Sequence, residues 1–154
     1  MLYFDSTYLF RIYSAEPGHE AVKAALAQAN RPVAVAWHGR AEFASILLRK
    51  RREGADTPEQ LASLAKQFQE DCRNGLVHFL PLAEAVMTRL ESVLSNAPAS
   101  TNIRAADALH LACAAEHGVD VRGDRRRLHR NGRGWRSAKV PHAGAAKSAP
   151  ASPV

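Results

Sequence analysis

Apolar positions along the chain alternate between short unbroken runs and longer stretches at helical spacing. Leu2-Tyr3-Phe4 is an apolar run that stops at Asp5, the pattern of a buried strand. Ser6 and Thr7 can cap a helix that extends to about Ser14, and Glu16-Pro17-Gly18 marks a turn. From His19 to Ala29, the residues Val22, Ala25, Leu26 and Ala29 share one helical face. Pro32 opens a second strand, Val33-Ala34-Val35-Ala36. Gly39 to about Glu53 again has helical spacing, with Phe43, Ile46 and Leu47 inward and Arg49-Lys50-Arg51-Arg52 at the cation-favouring end before Gly54. Thr57-Pro58-Glu59-Gln60 starts the next helix with a capping box, and Asn74-Gly75 stops it after Arg73. Leu76 to Leu80 is a third strand, Ala83 to Leu94 a helix, Arg104 to His117 an alanine-rich helix, and Val119-Asp120-Val121 the start of a fourth strand. Strands separated by helices predict an α/β fold, a parallel sheet of about four strands flanked by helices.

Composition changes this picture in one place. The chain has 154 residues, 46% hydrophobic and 23% charged, ordinary globular usage for one domain. The net charge is +6, which by itself suggests nucleic-acid binding. Its distribution says otherwise. Residues 1 to 120 carry twelve basic and fourteen acidic side chains, whereas residues 121 to 154 carry nine basic and one acidic. The excess is a property of the C-terminal segment. Beyond Arg136 the chain is Ala, Gly, Ser, Pro and Lys with almost no apolar bulk, which predicts disorder over 137–154. Cys72 and Cys113 make neither a disulfide framework nor a CxxC spacing, and a reducing cytoplasm suits them. No run of about 18 apolar residues exists to span a membrane, and Asp5 and Arg11 in the first apolar stretch do not fit a secretory leader.

Candidate chemistry lies in the acids. Asp5 follows the first strand, Glu42 sits in the first turns of the helix after the second, and Asp107 lies early in the apolar helix before the fourth. Ligands of open parallel sheets bind beyond the carboxyl ends of the strands. Chain order puts Asp5 and Glu42 there, Asp107 joins them if its helix packs with its N-terminus at that edge, and Asp124 would be a fourth. Two carboxylates ~5 Å apart repel by roughly 3 kcal/mol at an effective dielectric of ~20. A cluster therefore calls for a divalent cation or for protonation. Oxygen-only ligands select Mg²⁺ or Mn²⁺, which suits phosphodiester hydrolysis. Each acid also has a plainer reading. Asp5 can be an N-cap, Glu42 a favourable first-turn charge, Asp107 a partner of Arg104, and Asp124 a solvated acid among arginines.

Several segments resemble one family. Leu-Tyr-Phe-Asp-Ser-Thr at 2–7, Ala-Glu-Pro-Gly-His-Glu-Ala-Val at 15–22, Arg-Ala-Glu-Phe-Ala-Ser at 40–45 and Ala-Ala-Asp-Ala-Leu-His-Leu-Ala at 105–112 are similar, in order and spacing, to the motifs of PIN-domain ribonucleases. Over residues 1–121 the chain looks like the VapC-type toxins of bacterial toxin–antitoxin pairs. That resemblance implies a three-layer PIN-like fold and a Mg²⁺- or Mn²⁺-dependent endoribonuclease. It implies Asp5, Glu42 and Asp107 as catalytic acids, with Asp5 and Asp107 holding the metal and Thr7 or Ser6 supplying a supporting hydroxyl; Asp124, past the matched segment, is the candidate for a fourth catalytic acid. It further implies an RNA substrate, a cognate antitoxin, a homodimer and a cytoplasmic location. His110, one turn from Asp107, reads as a packed or capping histidine or as support for the acids. Arg49 to Arg52 reads as a solvated helix end or a contact to RNA phosphates.

The C-terminal end departs from the resemblance. Arg122-Gly123-Asp124-Arg125-Arg126-Arg127 replaces the apolar strand and Thr-x-Asp-like motif expected there, and defines an atypical segment over 122–136. One explanation is a shifted reading frame after Asp120. Read one nucleotide later, codons for these residues permit an aromatic, small residues, Thr and Asp. The other is a genuine variant end, in which Asp124 serves as the fourth acid and the arginines grip RNA. The gene sequence after Asp120 separates the two. Two rival functions stand beside the nuclease: a catalytically impaired PIN-like protein that binds antitoxin or RNA, and a basic nucleic-acid-binding tail on an unrelated domain.

Overall fold

A computed structural model describes residues 1–122; side chains are described up to Val119. The elements in chain order are β1 (Leu2–Phe4), α1 (Ser6–Tyr13), α2 (His19–Ala29), β2 (Val33–Ala36), α3 (Gly39–Glu53), α4 (Pro58–Arg73), β3 (Val77–Leu80), α5 (Glu84–Ser95), α6 (Ala105–Glu116) and β4 (Asp120–Arg122). The four strands form one parallel sheet in the order β3-β2-β1-β4. This is the α/β architecture expected from the alternation of runs and helical stretches. The predicted disordered tail, Asp124 and the rest of the atypical segment after Arg122 lie outside the described residues.

The two central strands are buried throughout, as a sheet covered on both faces requires. One face carries Tyr3, Ala34 and Ala36 against α5 and α6. The other carries Leu2, Phe4, Val33 and Val35 against α1 to α4. On this second face Phe43 of α3 stacks on Phe68 of α4 with ring centroids 4.0 Å apart, and Tyr13 of α1 meets both rings edge-on. The Thr57–Gln60 capping box forms in both directions.

The structure decides two boundaries. Of the capping candidates Asp5, Ser6 and Thr7, Asp5 caps α1, the plainer reading of that acid, because its extended backbone lets its side chain reach the Tyr8 N–H. Arg122, read as outside the fourth strand, is inside β4. Pairing with β1 (Leu2↔Asp120, Tyr3↔Val121, Phe4↔Arg122) decides this through backbone hydrogen bonds that are indifferent to side-chain charge.

Gly39 sets how closely α3 approaches the sheet. A Cβ there would lie 2.5 Å from Cγ2 of Val35 and 3.8 Å from Cε1 of His110. Val35 is fully buried and branched at Cβ, so it has little room to turn away. Gly39→Ala is expected to destabilise the fold by about 2 kcal/mol, within the range for overpacking. Chemical denaturation followed by circular dichroism reads this directly, and an unchanged midpoint would show that α3 tolerates being pushed outward.

Candidate active site

Three connections deliver side chains to the carboxyl edge of β1 and β2. The β1–α1 junction places Asp5, whose Oδ1 accepts the Tyr8 N–H at 2.8 Å. The cap thus uses one carboxylate oxygen and fixes the side chain in the positive field of the helix start. The β2–α3 junction places His38 as the N-terminal boundary residue of α3 and Glu42 in its first turn. The first turn of α6 contributes Asp107, and the next turn contributes His110.

A buried hydrogen-bond chain ties these connections together. The Ala36 N–H donates to Tyr3 Oη at 3.2 Å. Tyr3 Oη lies 2.6 Å from His110 Nδ1, and His110 Nε2 lies 2.6 Å from Glu42 Oε2. The ionised Glu42 carboxylate can only accept, so Nε2 carries the proton, and neutral His110 accepts the Tyr3 hydroxyl hydrogen at Nδ1. His110 is 2% exposed. It is a packed histidine, as the plainer reading held, and it also holds an acid.

The charges of Glu42 and Asp107 are both felt at Asp5. Burial pushes the Asp5 carboxyl above its usual range. The Tyr8 N–H and His110 oppose this, while Asp107 and Glu42 raise it further. Burial also raises Glu42, but hydrogen bonding and charge from His110, the His38 charge and a hydrogen bond from Ser6 outweigh it, so the net shift is downward. Ser6 is therefore the hydroxyl that supports the cluster; Thr7 faces solvent. The structure brings Asp5, Glu42 and Asp107 together, and Asp124 lies outside the described residues.

Asp107 does not pair with Arg104 among the described residues, so the plain reading of that acid fails. At the far end of α3, Arg49 pairs with Glu53 and Lys50 with Glu16, in keeping with a solvated helix end. The residues fit a divalent cation. Burial, with a smaller contribution from the charges of Asp107 and Glu42, makes ionised Asp5 costly, and no Lys or Arg side chain among the described residues pairs with Asp5, Glu42 or Asp107.

Tyr3 and His38 were not singled out in the sequence. A tyrosine in a buried strand needs a partner for its hydroxyl, and His38 stands four residues before Glu42 on one helical face. Both signals were present.

A PIN-domain family model matches residues 2–132. The chain belongs to the PIN-domain family. The match runs past Val121, where the resemblance in the sequence was read as ending. No curated protein matches this PIN domain. Among solved structures it is similar to VapC20 of Mycobacterium tuberculosis, described as a sarcin–ricin loop cleaving toxin. The two are 17% identical, with a TM-score of 0.55 over 77% of this chain and 85% of that one. At that identity the likeness is one of fold.

The PIN cluster carries a cost to stability. Asp5 ionises against its surroundings, so its charge opposes folding at neutral pH. Asn caps a helix about as well as Asp. Asp5→Asn is expected to raise the melting temperature in EDTA by a few degrees. A lowered melting temperature would mean that the carboxylate stabilises the fold by itself.

Proposed function

We propose that this PIN domain is a metal-dependent endoribonuclease acting as the toxin of a toxin–antitoxin pair. The observation that carries the reading is the convergence of Asp5, Glu42 and Asp107 on one sheet edge of a PIN-family chain. In this reading Asp5 and Asp107 hold Mg²⁺ or Mn²⁺, and Asp124 is the fourth acid. The bound cation would lower the pKa of an attacking water and neutralise phosphate charge.

The chain's own groups do the rest. His110 and Ser6 keep the Glu42 carboxylate ionised and fixed in direction, so it can accept a proton from the attacking water. Tyr3 keeps His110 in the tautomer that donates to Glu42. The Asp5 cap bond prevents that carboxylate from swinging away from Asp107. The division into a nuclease domain (1–121), an Arg-rich segment (122–136) and a tail (137–154) belongs to the same proposal, as do a cognate antitoxin, a homodimer and a cytoplasmic site of action. No helix among the described residues is long and apolar enough to cross a membrane.

Trp37 supports RNA as the substrate. It is 54% exposed, immediately precedes His38, and is flanked by the Arg40 guanidinium 5.2 Å from its ring centre and by Phe79 edge-on at 5.6 Å. A held, exposed indole beside a cation is a platform for an unpaired base. The catalytically impaired binder is the second reading. The expected fourth acid, Asp124, is followed at once by Arg125-Arg126-Arg127, which favours phosphate binding over metal binding at that position.

Purified protein incubated with mixed RNA in Mg²⁺ or Mn²⁺ is expected to cleave it. EDTA, Asp5→Asn and Asp107→Asn should each reduce cleavage to background. No cleavage by folded wild-type protein that still binds RNA would favour the impaired binder. Trp37→Ala is expected to weaken binding of single-stranded RNA in EDTA by about 5- to 100-fold, the value of one stacked base. Unchanged binding, measured by fluorescence anisotropy of labelled RNA, would remove Trp37 from the RNA path.

A further inference from the structure

The acidic cluster has a neighbour of different chemistry. His38, Glu42 and His110 each offer one ligand atom, and these atoms all lie within 4.8 Å of one another. His38 Nε2 is 3.6 Å and His110 Nε2 2.6 Å from the same oxygen, Glu42 Oε2. The two imidazoles face each other at 4.2 Å between ring centres. Both ring nitrogens of His38 are shielded from solvent and make no hydrogen bond of good geometry, the Ala106 backbone being a weak partner, so lone pairs remain for a ligand.

We propose that His38, Glu42 and His110 form a zinc site that competes for Glu42 with the all-oxygen cluster of Asp5 and Asp107. Two imidazoles and one carboxylate are an established zinc donor set with a fourth position open, whereas Mg²⁺ prefers oxygen alone. Nitrogen donors also favour zinc over Mn²⁺. Tetrahedral zinc with bonds near 2.1 Å sets its ligand atoms roughly 3.3 Å apart. The His38–Glu42 separation is close to that already. The His110–Glu42 pair opens by under an ångström once the proton between them leaves.

That proton has a place to go. For Nε2 to bind zinc, the His110 proton moves from Nε2 to Nδ1, and the ring remains neutral. Nδ1–H then donates to Tyr3 Oη, which already accepts from Ala36 N–H. Tyr3 turns its own hydrogen to Cys113, whose thiol is in hydrogen-bonding contact with it. Tyr3 thereby becomes the outer oxygen partner that metal-bound imidazoles require. Glu42 exchanges the His110 hydrogen bond for the metal and ceases to be available for other work. The site stands on its ligands alone. Only its inhibitory effect rests on the nuclease reading.

The test is zinc binding to the full chain by competition with a chromophoric chelator, with Co²⁺ absorption as a second reading of coordination. One equivalent of zinc is expected. His38→Ala should weaken it more than tenfold and abolish the tetrahedral Co²⁺ band, while Asp107→Asn and the control His117→Ala leave both unchanged. Because His38 is partly exposed, its variant is expected to keep the wild-type circular dichroism spectrum, and His38→Gln serves as a second variant with the same outcome. Unaltered zinc affinity in both His38 variants overturns the proposal, as does equal loss in Asp107→Asn, which would place zinc on the carboxylates. If the chain cleaves RNA, stoichiometric zinc should stop cleavage in wild type and do so poorly in His38→Ala. If it cleaves nothing, the binding measurements still decide the zinc site while the nuclease reading fails separately.

Discussion

A buried tyrosine hydroxyl must find partners, and here it finds one in the neighbouring strand and one in the helix packed over it. Tyr3 accepts the Ala36 N–H of the neighbouring strand and donates a hydrogen bond to His110 of α6, which in turn holds Glu42 of α3. One chain of hydrogen bonds joins β1, β2, α6 and α3. The Ala36–Tyr3 and Tyr3–His110 links are buried and would leave an unpaired polar group if broken, so the chain resists partial loss. Burial accordingly pushes the Tyr3 hydroxyl far above its ordinary range and keeps it a neutral donor.

The packing on either side serves this chain. Gly39 lets α3 descend onto Val35 closely enough for Glu42 to reach His110. The Phe43–Phe68 stack and the Tyr13 edge contacts hold α3 and α4 against α1, which itself starts from Asp5. On the opposite face α6 is anchored by Leu111, Ala112 and Cys113 in the core and by the 2.7 Å Arg89–Glu116 ion pair to α5. Asp107 and His110 are thus carried on a helix whose position is set by apolar contacts. The ionised Asp5 draws on the stability of the fold, whereas the ionised Glu42, held by His110 and Ser6, adds to it.

Glu42 lies at the meeting point of two chemistries. Carboxylates on one side suit a hard cation, and imidazoles on the other suit a borderline one. In the proposed zinc site the proton between Glu42 and His110 sits on Nδ1 toward Tyr3, and without zinc it stays on Nε2.

Much of this was legible in the sequence because it depends on local rules. The three-residue run ending at Asp5, the Val33–Ala36 run and the Thr57 capping box each fix a boundary through burial, Pro placement or side-chain capping, and the elements fall where those signals put them. The PIN motifs bracketed Asp5, Glu42 and Asp107 for the same reason: each stands at a fixed offset from a strand or helix start. Tertiary structure decided what crosses between elements. Whether Arg122 is in a strand was settled by register with β1. The choice of Ser6 over Thr7 was settled by which hydroxyl faces α3. His110 could be read as packed filler or as support until Tyr3, 107 positions earlier, was seen against its ring. The sequence by itself determined that Asp5, Glu42 and Asp107 are candidates at strand and helix starts, because spacing along a helix or strand is a local property. Only the folded chain determined their partners, because hydrogen bonds between residues distant in sequence depend on how four elements pack.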